Sequence, residues 1–113
     1  MPEETNKRAV HEAIDLLQTK WTLHLVRCLL EGPAGFNELS RATGGCNPTT
    51  LTQRLDHLCR LEIVEKTVLS SNPPKTRYEL TEKGRRLQQV IYAIEGWALE
   101  KGDDSGDRKT ISA

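Results

Sequence analysis

The chain is 113 residues long, one domain's worth, with 36% apolar and 28% charged residues, a composition that excludes a fibrous or disordered protein. No apolar run approaches the roughly 18–20 residues that cross a bilayer, and the opening Met1-Pro2-Glu3-Glu4 lacks the basic-then-apolar pattern of a signal peptide, so a cytoplasmic protein without membrane contact is expected. Sixteen basic residues balance sixteen acidic ones, and this neutrality by itself names no partner.

From Lys7 to Gln18 the residues Val10, Ala13, Ile14 and Leu17 recur at i, i+3, i+4 and i+7, the signature of an amphipathic helix. A second helix is expected over Trp21–Glu31, with a broad apolar stripe (Trp21, Leu25, Val26, Leu29, Leu30) and a stop at Gly32-Pro33. Ala34–Phe36 reads as a very short strand. Asn37 reads as the cap of a brief helix, Glu38–Thr43, with Leu39 and Ala42 turned inward. Gly44-Gly45 is a turn.

The strongest local signal follows it. In Asn47-Pro48-Thr49-Thr50-Leu51 the asparagine can cap free N–H groups, and proline occupies the first helical position, where a missing donor costs nothing. Leu51, Leu55 and Leu58 then form one apolar face, which leaves Thr49, Thr50, Gln53, Arg54 and His57 pointing outward. Ile63–Leu69 reads as a strand, Ser70–Pro74 as a turn and Thr76–Leu80 as the return strand of a hairpin. Thr81 is expected to cap one long helix running to about Lys101, with a narrow stripe of Leu87, Val90 or Ile91, Ile94 and Trp97 or Ala98. Residues 102–113 hold little apolar material and read as a disordered tail behind a domain spanning 1–101.

Charge is uneven along this order. Residues 64–86 carry six basic residues (Lys66, Lys75, Arg77, Lys83, Arg85, Arg86) against three acidic ones, so positive charge gathers on the hairpin and just beyond. A short helix, a turn and a helix with an uncommitted polar face make a helix-turn-helix, and the hairpin makes it winged. The fold class is therefore mainly α with a small β-hairpin (α+β). Asn47, Thr49, Thr50, Gln53, Arg54 and His57 are the candidate groove contacts, with Gln53 able to pair bidentately with adenine and Arg54 with guanine. Lys75 and Arg77 sit where a wing meets phosphates.

The runs Lys20-Trp21-Thr22-Leu23, Gly32–Leu39, Pro48–Leu55 and Pro73–Gly84 occur in order and at matching spacing, and together they resemble the HxlR family of bacterial winged-helix transcriptional regulators, related to the MarR group. The resemblance covers residues 8–99. It implies a homodimer joined through the first and last helices, acting as a repressor on a roughly two-fold symmetric stretch of double-stranded DNA. Val10, Ile14, Leu17, Val90, Ile91, Ile94 and Trp97 are the interface residues this implies. Where many relatives carry a Cys-Pro pair before the first helix, the sensor in the redox branch, this chain has Arg8 and Ala9. A Gly-Gly commonly precedes the lysine, where this chain has Gln18-Thr19, and the lysine usual after the groove helix's proline is Thr49. The usual glycine between groove helix and wing is Glu62, which costs roughly 1–2 kcal/mol if the backbone there is left-handed.

Cys28, Cys46 and Cys59 include no C-x-x-C pair, and an odd count suggests no disulfide framework. All three read as buried small hydrophobes; Cys46, just ahead of the groove helix, is the candidate redox-active thiol of the set. His11, His24 and His57 have no metal-ligand spacing, and no nucleophile–base pair, P-loop or dinucleotide motif appears, so neither catalysis, metal nor cofactor is expected. Trp21 and Trp97 read as packing residues, with a pocket for an unidentified small-molecule effector as the alternative. The competing function is a winged-helix module that docks a protein through the same polar helix.

Overall fold

The computed structural model describes residues 3–103. Its elements in chain order are α1 (Glu3–Leu17), α2 (Thr22–Leu30), α3 (Phe36–Thr43), α4 (Pro48–Arg60), β1 (Val64–Ser71), β2 (Pro74–Leu80), α5 (Glu82–Arg85) and α6 (Gln88–Asp103). Of the expected tail, Gly102 and Asp103 belong to α6 and the rest lies outside the described residues.

One core holds the molecule together. Leu25 and Leu29 from α2, Leu39 from α3, Leu51, Leu55 and Leu58 from α4, and Ile63, Val64, Tyr78 and Leu80 from the base of the wing form a single buried cluster. Leu25, Leu39, Leu51 and Leu55 have no exposed surface, and each such side chain contributes about 1.5–3 kcal/mol by leaving water. β1 and β2 pair antiparallel from Val64 opposite Leu80 to Ser71 opposite Pro74, with a bulge at Leu69. The turn between them is therefore shorter than the five residues expected. Of the short strand expected over Ala34–Phe36 only Ala34 pairs, exchanging both backbone hydrogen bonds with Tyr78 at 3.0 and 2.8 Å, whereas Phe36 already opens α3.

Four local expectations need correction. Trp21 does not open the second helix: it adopts φ 76°, a left-handed conformation, and α2 begins at Thr22. Asn37 is not a cap: α3 starts one residue before it, with Gly35 at the cap position, and the Gly35 N–H donates to the Glu38 carboxylate at 2.7 Å. Ala42 is exposed, so Leu39 alone anchors the inner face of α3. The single long C-terminal helix is two. Thr81 does cap it, its hydroxyl accepting from the Gly84 N–H at 3.0 Å, but α5 ends after one turn and a tighter turn through Arg86 and Leu87 leads into α6. The break lies where Gly84 is pressed against the wing base: a Cβ there would overlap the Ile63 carbonyl.

Glu62 stands at φ 60°, in the left-handed region, directly after the turn that closes α4. Its side chain is exposed, so the backbone carries the cost. Glu62→Gly should raise stability by about 1 kcal/mol in a urea melt at fixed protein concentration, and Glu62→Ala should not. A loss of stability on Glu62→Gly contradicts this account of the turn.

Candidate nucleic-acid interface

The site is built on α4. The Asn47 side chain accepts from the Thr50 N–H at 2.9 Å and Pro48 takes the first helical position, so the helix starts where the sequence says it should. Sinking Leu51, Leu55 and Leu58 into the core fixes the rotation of the helix. Thr49 and Gln53, one turn apart, are exposed on the far side, as are Thr52 and Asp56. Thr50 and His57 are half-buried at the edges rather than fully outward. Thr52 was not singled out by pattern, although its i+3 spacing from Thr49 puts it on the same outer face.

Arg54 is placed differently from expectation. It is half-buried, and its Nε–H donates to the Lys20 carbonyl at 2.8 Å across 34 residues of sequence. Asn47 is also partly committed, since its carbonyl oxygen caps the helix and leaves the amide nitrogen as the donor.

The wing divides its basic residues. Lys75 and Arg77 lie on β2 with Glu79 along its outer face, all exposed, while Tyr78 and Leu80 fill the core from the other face. Lys83 and Arg85, both exposed, donate to the Leu61 and Leu80 carbonyls at 3.1 and 2.9 Å, which holds two further cations at the wing base.

A helix-turn-helix with this wing has relatives. Residues 16–105 match the HxlR-like helix-turn-helix family. The chain belongs to that family. It is 36% identical over 97 residues to the HTH-type transcriptional regulator YodB of Bacillus subtilis, covering 83% of this chain and 87% of that one. The quinone-bound structure of YodB superposes with a TM-score of 0.72 at 31% identity, covering 82% of this chain and 98% of the other. A MarR-family regulator from Porphyromonas gingivalis superposes with a TM-score of 0.75 at 26% identity, covering 80% and 89%. The HxlR-like protein described here is a DNA-binding transcriptional regulator, from a family of regulators rather than enzymes. No helix among the described residues is long and apolar enough to cross a membrane.

The interface candidates separate into two kinds. Every residue from 6 to 15 of α1 is exposed, Val10 and Ile14 at 57% and 55%, whereas Leu17 is half-buried. On α6, Ile94 and Trp97 are exposed and Val90 is half-buried, but Ile91 is already buried against its own subunit, 5% exposed. Tyr92 and Leu99, 60% and 68% exposed, lie on a different side of α6 from Ile94 and Trp97 and outside the stripe that the sequence pattern gives. An Arg27–Glu95 ion pair at 3.4 Å links α6 to α2.

Of the three thiols, Cys46 is the one inside the core, 5% exposed, which fits packing. Cys28 and Cys59 are half-buried, and their pKa values are pushed up by burial first, then by Glu31 and Asp56 respectively. With a disulfide thiol reagent near pH 8, Cys28 and Cys59 should react more slowly than a free cysteine, and Cys46 only when the protein opens. Rapid modification of native Cys46 contradicts this arrangement.

Proposed function

We propose that the protein is a homodimeric repressor working in the cytoplasm, each subunit placing α4 in a major groove of a roughly palindromic operator while its wing holds the adjacent backbone. The observation that carries this reading is the divided face of α4: three leucines sealed in the core and Thr49 and Gln53 presented outward, beside the exposed Lys75 and Arg77 of the wing. Gln53 has the reach and geometry for adenine N6/N7, Thr49 and Thr50 for base edges or thymine methyls, and the wing cations for phosphate.

The second copy is called for by α1. A lone helix of 15 residues is marginal in water, and every residue from 6 to 15 of α1 is exposed. Val10 and Ile14, together with Ile94 and Leu99 of α6, supply an apolar surface that a partner's terminal helices would cover. A groove of about 590 Å³ between α2 and α6, lined by Leu23, Ile91, Ile94, Ala98 and Leu99 and by the Arg27–Glu95 pair, is the place for a small effector. YodB, a relative, has been solved with a quinone bound.

Fluorescence anisotropy on a selected duplex and on random duplex tests the division of labour. Gln53→Ala should cost about 1–3 kcal/mol on the selected duplex and almost nothing on random DNA. Lys75→Ala should weaken both alike and lower the salt slope by about 0.9 per subunit. Identical behaviour of the two variants overturns the assignment. In sedimentation, Val10→Asp with Ile14→Asp should convert dimer to monomer and abolish tight binding; a dimer that survives both changes removes α1 from the interface.

A further inference from the structure

We propose that Arg54 is a positioning residue and not a base reader: it is the strut that fixes the reading helix α4 to the turn between α1 and α2, so that arm and reading helix move as one. The proposal rests on the DNA-binding reading above for its consequence but on the free protein for its geometry.

Arg54 follows Leu51 by three residues and precedes Leu58 by four, so it lies at the margin of the buried face of α4 rather than opposite it. Its Nε–H donates to the carbonyl of Lys20 at 2.8 Å. The bond is solvent-exposed, so water competes with its charged donor, but while it stands it takes the Nε edge of the guanidinium away from any base.

The acceptor is informative as well. Lys20 immediately precedes Trp21, whose φ of 76° is costly for a bulky residue and persists only where its surroundings over-determine it. Those surroundings are on hand. The Thr22 N–H donates to the Thr19 carbonyl at 3.1 Å, and the Leu25 N–H to the Trp21 carbonyl at 2.9 Å. The Trp21 ring lies beside Gly45, just ahead of α4, and tilted on His24 with ring centroids 5.8 Å apart. The Lys20 ammonium sits 5.3 Å from the Trp21 ring centre. Arg54 and Trp21 thus tie the α1–α2 turn to α4 from two directions, Arg54 at the body of the helix and Trp21 at the turn before it. α1, which leaves this turn, is the arm that carries Val10 and Ile14. A displacement of the arm is therefore transmitted to the reading helix through the Lys20 carbonyl.

Hydrogen exchange on the DNA-free protein, followed by a base-by-base substitution scan, tests this. In Arg54→Ala the Thr22 and Leu25 amides should exchange about tenfold faster than in the wild type, with Arg54→Lys between the two and Gln53→Ala unchanged. Unaltered protection in Arg54→Ala overturns the strut. The scan uses a duplex selected from a random pool on the wild-type protein. Arg54→Ala should lower affinity by a similar factor, about tenfold, on every single-base variant, while binding to random duplex stays within about twofold. If Arg54→Ala instead erases the penalty at one G·C pair and leaves the others, Arg54 is a reader and the proposal fails. Should the wild type select no duplex, the DNA-binding reading falls, and the exchange measurement alone decides whether the strut exists.

Discussion

The burial of Leu51, Leu55 and Leu58 governs the rest of the molecule. A helix turns about 100° per residue, so sinking these three side chains leaves only one rotation for α4, and that rotation decides which residues meet the outside. The Asn47 cap and Pro48 fix where the helix begins, so its register along the axis is set as firmly as its rotation. Truncating any of the three leucines to alanine carries a cost of about 2–5 kcal/mol, a large share of a small domain's stability. Reading capacity is thus a by-product of packing: Thr49 and Gln53 face outward because the leucines cannot.

The same core explains what the subunit lacks. α2, α3, α4 and the wing base converge on it, but α1 touches it only through its C-terminal end, where Leu16 packs at the edge. The radius of gyration, 16.8 Å, exceeds the roughly 13 Å of a compact chain of 100 residues, as expected when helices project from the body. In the proposed homodimer such an arm gains its order from the second copy, and pairing two subunits would also set the distance between two reading helices. Association and recognition are then one geometric problem. The turn at Trp21, strapped to α4, is where they meet.

Legibility in the sequence followed the kind of force at work. Capping and periodicity are local, and they placed the start of α4 to the residue and the existence of the hairpin, though not the length of its turn. Local rules failed where a distant group intervened. Arg54 reads as a groove contact from the sequence, although its spacing from Leu51 and Leu58 puts it at the margin of the buried face, and its partner there is the Lys20 carbonyl, 34 residues away. The last helix is interrupted at Arg86 and Leu87, one turn after its cap, and the Gly84 within that first turn lies against the Ile63 carbonyl, a contact across the fold that no stripe pattern encodes. Glu62 is the converse: its place after the groove helix was legible in the sequence as a left-handed candidate, and its φ is 60°.

The measurement that bears most directly on the pairing of two reading helices is a hydroxyl-radical footprint of the wild-type dimer on a selected duplex. Two protected patches on one side of the duplex, separated by about 10–10.5 base pairs or a multiple, are the predicted result, each flanked by weaker protection from the wing. A single continuous patch without two-fold relation, or protection on opposite sides of the duplex, would contradict it.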